Sequence, residues 1–278
     1  MINFIAMKTR KHPLQLIVSM AVLSILITSC GKWRERRDMT TSKDQNQIEG
    51  LFDDMYKIVD NAAGSTAGIK LLDMQCVDTL LVDTTANPKT MLIDFGQDDC
   101  ISADGRIRKG QLYVTFTGRY RTAGTVITIT PSNYSVDGYN IIGTKTITNE
   151  GLNANNQPYF SVSVEAQVIA PNNEWTTSWS GTRTRVWTEG YNTLLNPYDD
   201  VYEITGSGSG INRNGVPFTM TIDEALVAKM DCPWIVQGEL TITPDEGSEK
   251  IINWGSGECN NGMTVVCNGN MFTINGGN

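Results

Sequence analysis

Histidine is nearly missing from this sequence: of 278 residues only His12 carries an imidazole, and it lies in the short basic start of the chain. A product that lacks residues 1–29 has none. That excludes Ser-His-Asp and Cys-His nucleophilic catalysis, histidine acid–base chemistry and zinc sites built on histidine. Basic residues are scarce too, with 22 Lys and Arg against 30 Asp and Glu. Removing residues 1–29 takes away Lys8, Arg10 and Lys11 and no acidic side chain, so the formal charge of -8 becomes more negative by three. Such a field repels phosphate backbones and anionic headgroups. It argues against nucleic acid as a partner and leaves membrane association to a covalent lipid.

No apolar run is long enough to span a bilayer comfortably. Leu14 to Ile27 follows the positive start, and the segment closes on Leu26-Ile27-Thr28-Ser29-Cys30. This pattern resembles a bacterial lipoprotein signal peptide. The resemblance implies cleavage before Cys30, diacylglycerol on its thiol and an acyl chain such as palmitate on the new amino group, enough lipid for stable anchoring. The expected location is the outer membrane, with the membrane as partner through the lipid on Cys30.

Residues 30–47 are polar, with Lys32, Arg34, Arg36 and Arg37 around Trp33, and read as a tether. From Ile48 the spacing of Leu51, Phe52, Met55 and Val59 predicts one short amphipathic helix over 48–62, with Asp53, Asp54, Lys57 and Asp60 on its wet face. Beyond Ile69 the period changes to two, as in Phe160, Val162 and Val164 against Ser161, Ser163 and Glu165. Turn signals recur at Asp137-Gly138, Asn149-Glu150-Gly151, Glu189-Gly190, Asn214-Gly215 and Asn261-Gly262. The fold class is therefore all-β: an antiparallel meander forming a curved sheet, sandwich or open barrel over 48–278. Gly206-Ser207-Gly208-Ser209-Gly210 has no following lysine or helix, so it reads as a bent strand or bulge and not a phosphate loop.

The chain also echoes itself, 70–110 resembling 230–270. Met91-Leu92-Ile93-Asp94-Phe95-Gly96 with Cys100 matches Lys250-Ile251-Ile252-Asn253-Trp254-Gly255 with Cys259, and Cys76 and Cys232 precede the two blocks. The repeat favours bridges Cys76–Cys100 and Cys232–Cys259, each worth roughly 3 kcal/mol in the chain-entropy model. The rival pairing is Cys259 with Cys267. No CxxC pair points to a metal–thiolate site.

Ile93-Asp94-Phe95-Gly96, Asp104-Gly105-Arg106-Ile107-Arg108-Lys109-Gly110, Thr117-Gly118-Arg119-Tyr120, Gly143-Thr144-Lys145, Arg183-Thr184-Arg185 and Ile204-Thr205-Gly206 together resemble an uncharacterised family of Bacteroidota lipoproteins. The resemblance covers most of the chain after Cys30 and implies lipoprotein status and an all-β fold, with no assigned activity and no functional residue. Such lipoproteins often carry an acidic stretch after the cysteine when sent to the cell surface. Its absence here favours the periplasmic face.

Three tryptophans, Trp175, Trp179 and Trp187, cluster with Arg183 and Arg185 and form the candidate ligand site, since flat indoles beside guanidinium groups suit a sugar ring. The competing expectation fills the core with the indoles and pairs the arginines with Glu165 or Glu203. Asp199 and Asp200 are the better candidates for calcium among several acidic turns, although no EF-hand spacing occurs. No cofactor is implied. The expected role is non-enzymatic, structural or binding, in the cell envelope. The alternatives are a glycan-binding surface module, a carboxylate-based glycoside hydrolase and an amphiphile carrier, and the possible partners are a glycan, an amphiphile or an envelope protein.

Overall fold

A computed structural model describes residues 39–66, 76–193 and 196–275; the signal segment and Cys30 lie outside the described residues. Among the described residues, fourteen antiparallel strands follow one α-helix, α1 (Thr40–Thr66). The strands are β1 (Thr79–Asp83), β2 (Lys89–Asp94), β3 (Cys100–Ile101), β4 (Ile107–Phe116), β5 (Val126–Val136), β6 (Tyr139–Leu152) and β7 (Pro158–Ile169). They continue with β8 (Thr176–Glu189), β9 (Val201–Ile211), β10 (Pro217–Lys229), β11 (Ile235–Pro244), β12 (Lys250–Ser256), β13 (Gly262–Cys267) and β14 (Asn270–Asn275). All belong to one sheet in chain order, except that β3 pairs only with β4. The sheet is an open meander that begins at β1 and ends at β14. It is neither a sandwich nor a closed barrel.

The sheet wraps α1. Ile48, Leu51, Phe52, Met55, Tyr56, Val59 and Ala62 are all buried, the stripe that the 3.6-residue period predicts. Contacts also reach the helix from β4, β6, β8, the β9–β10 turn, the β10–β11 connection and β12. At about 100° per residue, Glu49 lies roughly 140° around the helix axis from both Asp44 and Asp54, which are themselves about 80° apart. Each nevertheless meets an arginine, Arg213, Arg183 and Arg108 respectively. Only a surface that curves around the helix supplies three such partners.

Two expectations change here. The helix spans 27 residues and starts at Thr40, inside the expected tether, because the polar residues of its first turns are covered, Thr41 and Asp44 with bonds from the β9–β10 turn. Thr41, Ser42, Asp44 and Gln45 are buried; Asn212 Nδ2 donates to Thr41 Oγ1 at 2.8 Å, and Arg213 binds Asp44. Two residues of the expected wet face are also occupied: Asp54 pairs with Arg108, and Lys57 Nζ donates to the carbonyl of Cys232 at 2.9 Å, while the side chains of Asp53 and Asp60 lie outside the described residues.

Turn chemistry follows sequence at Asp137-Gly138, where φ of 52° and 80° joins β5 to β6 in a two-residue hairpin, and at Asn214-Gly215 between β9 and β10. Asn149-Glu150-Gly151 differs. It is a bulge inside β6, with Asn149 opposite Phe160 and Gly151 opposite Tyr159, and Gly151 N–H donates to Asn149 Oδ1 at 2.8 Å.

The two echoing blocks share local geometry. Ile93 and Ile252 are buried, as are Phe95 and Trp254. Asp94 Oδ1 accepts from Gly96 N–H at 2.9 Å, Asn253 Oδ1 accepts from Gly255 N–H at 2.8 Å, and the glycines have φ of 81° and 88°. Cys76 bonds Cys100 and Cys232 bonds Cys259, leaving Cys267 free and buried.

Candidate functional site

β8 decides where the sequence-predicted site goes. Its alternation turns Trp179, Arg183, Arg185 and Trp187 to the helix side, all buried, and Ser180, Thr182 and Thr184 outward. Trp179 Nε1 donates to Met220 Sδ at 3.3 Å, and Trp187 stacks on Tyr202 with ring centroids 5.3 Å apart. Trp175 stands apart before the strand, half-buried, with the Arg213 guanidinium 3.7 Å from its ring centre. The three indoles do not form an exposed platform.

Arg183 and Arg185 do not pair with Glu165 or Glu203. Cross-strand neighbours share a face, and Arg183 lies opposite Val162 and Gly206 while Arg185 lies opposite Phe160 and Ile204. Glu165 and Glu203 face outward and are exposed. Arg183 instead binds Glu49 of α1, and Arg185 lies between Tyr56 and Tyr202, 4.1 and 3.6 Å from their ring centres.

This interior is basic by construction. Arg108, Lys145, Arg183, Arg185 and Lys250 are all buried strand residues, and α1 supplies compensating carboxylates and a carbonyl, Phe52 O accepting from Lys145 at 3.1 Å. Arg108 is held most firmly. Burial opposes its charge, but bonds from its guanidinium to Asp104 and the nearby charge of Asp54 outweigh that, so it stays protonated well above the ordinary arginine value. Burial, reinforced by the charge of Asp54 and only partly offset by Arg108, pushes the Tyr134 phenol far above its ordinary value.

The calcium candidates do not converge. Asp199 is exposed and both its oxygens accept from the Thr193 hydroxyl, at 2.9 and 2.8 Å, while Asp200 is buried. Among the described residues no group of three or more His, Cys, Asp or Glu side chains comes together to hold a metal.

The outer face carries a feature that the sequence reading missed. Thr146, Ser163, Thr182, Ser207 and Thr221 sit opposite one another on β6 to β10, forming one continuous row across five strands. Beside it runs a second row, Thr144, Glu165, Ser180, Ser209 and Thr219. Two shallow troughs follow these rows. One, of about 580 Å³, is lined mostly by their hydroxyls; the other, of about 500 Å³, shares Glu165, Ser180 and Ser209 with it and adds Ile211, Pro217 and Asp245.

The chain matches no protein-family model, no curated protein and no solved structure.

The glycine-serine run makes the trough possible. β9 continues unbroken through Gly206 to Gly210, with its serines outward and Gly208 and Gly210 over buried rings. A Cβ on Gly208 would stand 2.8 Å from Trp179 Nε1, and one on Gly210 would stand 2.2 Å from the Ser178 carbonyl and 2.8 Å from the Phe218 ring. Side chains there would lift β9 off those rings. The signal was present as serine and threonine at every second position of several strands, but only the register aligns them.

Proposed function

We propose that the mature chain is an outer-membrane lipoprotein, anchored through acyl chains on Cys30, with a non-enzymatic structural or binding role at the periplasmic face of the cell envelope. Cys30 at the end of the apolar run carries this reading, and the resemblance to Bacteroidota lipoproteins supports it. Two disulfides suit an oxidising compartment. Among the described residues no helix is long and apolar enough to cross a membrane.

The packing favours a role for the outer surface. α1 fills the inner side of the sheet with Leu51, Phe52 and Met55, which occupies the space an amphiphile carrier needs. The buried indoles likewise withdraw the surface that a tryptophan-based glycan platform needs.

Metabolic labelling with palmitate tests the anchor. The wild-type chain is expected to incorporate label and sediment with outer membranes, and Cys30→Ala to lose both. An unlabelled wild-type chain, or a Cys30→Ala chain that stays membrane-bound without detergent, sinks the reading.

A further inference from the structure

We propose that the trough on the outer face of β6–β10 is a binding site for an extended, uncharged polysaccharide, held by its hydroxyl rows. It specifies the binding role proposed above, but it needs only the folded body and not the lipid.

The hydroxyls of the trough are uncommitted. Within the two rows and their flanks, the bonded ones among the described residues are Ser161, to Glu150, and Thr243, to Glu249. Thr146, Ser163, Thr182 and Ser207 make no side-chain hydrogen bond there, although each is both donor and acceptor. A sugar polymer presents the same mixture of donors and acceptors. Glu165, where the two troughs meet, adds the stronger, charge-assisted acceptor.

Charge selects the occupant. The cations Lys145, Arg183, Arg185 and Lys250 of these strands and β12 are buried, and the half-buried Lys229 at the end of β10 donates to the Gly257 carbonyl, while Glu150, Glu165, Glu203, Asp223 and Glu224 are exposed. That surround repels anionic polymers. The floor of the larger trough is mainly neutral hydroxyl, with Glu165 its single carboxylate, so it offers little to fasten a polycation. The exposed Ile211 and Pro217 of the smaller trough give apolar surface for the C–H face of a sugar ring.

Spacing agrees with the chemistry. Neighbouring strands stand about 4.8 Å apart, so a five-strand row extends roughly 20 Å, and a linear chain crossing the strands meets a hydroxyl at intervals comparable to one sugar ring. Both trough volumes fall within the size range of ligand sites.

The test is calorimetric titration of the mature chain carrying Cys30→Ala with cello-, xylo-, malto- and chitohexaose, and with poly-L-lysine as the cationic rival. At least one hexaose should bind saturably. The triple change Thr146→Val, Ser163→Ala and Thr182→Val removes three hydroxyls at nearly constant shape and should weaken that binding about tenfold or more, with an unchanged melting temperature. Should the triple variant not fold, Glu165→Gln at an exposed position replaces it, with at least a roughly threefold loss expected. Binding of no hexaose, binding of poly-L-lysine alone, or undiminished hexaose affinity in the folded variant overturns the proposal. Hexaose binding, together with a wild-type chain that takes up no palmitate in cells, overturns the anchor and leaves this site standing.

Discussion

Arg108 of β4 grips Asp54 of α1 from the interior, Nη2 to Oδ1 at 2.5 Å and Nε to Oδ2 at 3.4 Å, and the same Nη2 together with Nη1 donates to Asp104 at 2.6 and 2.8 Å. The guanidinium is 1% exposed and the Asp54 side chain 10%, so their attraction is little screened by solvent, whereas Asp104 is half-exposed. The same pattern recurs with Arg183 and Glu49 and with Arg213 and Asp44. These pairs fasten a helix whose polar residues face its own fold.

Asp54→Ala removes one partner and leaves a buried guanidinium with Asp104 alone. Such a change costs about 3 kcal/mol or more. Urea denaturation reads it directly, with Asp98→Ala in the exposed loop between β2 and β3 as the control near zero. A loss below about 1 kcal/mol would show that the pair does not hold the helix.

Stability should fall at both ends of the pH scale for identifiable reasons. Burial raises the Asp104 carboxyl, but bonds and charge from Arg108 and the Arg106 backbone hold it below the usual value. Its contribution is therefore complete above the unfolded value near pH 3.9 and is lost as pH falls through the lower folded one. Tyr134 acts oppositely: its raised phenol favours the protonated folded form, fully below about pH 10, and that contribution is lost as pH rises. Asp104→Asn should flatten the acid limb of a melting-temperature profile. Tyrosine absorbance should show Tyr134 silent at pH 10–11 in the folded protein and titrating only with unfolding.

Thiol counting checks the bridges. The Cys30→Ala mature chain should take up no maleimide when folded and one, at Cys267, when unfolded without reductant. Cys232→Ser with Cys259→Ser should lower stability by roughly 3 kcal/mol. Labelling at Cys232 or Cys259 in the unreduced parent would contradict the pairing.

Two glycines should respond with opposite sign. Gly210→Ala forces a Cβ against the Ser178 carbonyl and the Phe218 ring and should destabilise by about 1–3 kcal/mol. Gly50→Ala lies within α1 with nothing inside 4 Å of its Cβ, and should stabilise by roughly 0.5–1 kcal/mol. Thermal melts of the two variants decide.

Much of the fold was legible because its causes are local. Asp94 and Gly96, like Asn253 and Gly255, make the same two-residue turn from neighbouring positions, so the echo in sequence reappears as an echo in geometry. The start of α1 was not legible. Thr41, Asp44 and Gln45 read as tether, and what makes them helical is cover from Asn212 and Arg213, some 170 residues away.

The candidate ligand site failed for a related reason. Alternation shows that Trp179, Arg183, Arg185 and Trp187 share a face, yet it is silent on which face is inward. Two arginines would ordinarily turn a strand face to water. Here the acidic helix lies against that face, so Arg183 and Arg185 are buried with partners and the serines and threonines point out.

Sequence alone therefore determined the period of each strand, the tight turns and the shortage of cations, since each depends on residues close together or on composition. Tertiary structure alone decided which side of every strand is inside, where α1 begins and that hydroxyls on five strands fall into line. Those follow from register and from burial against α1, and a period of two looks the same from either face until a packed neighbour covers one of them.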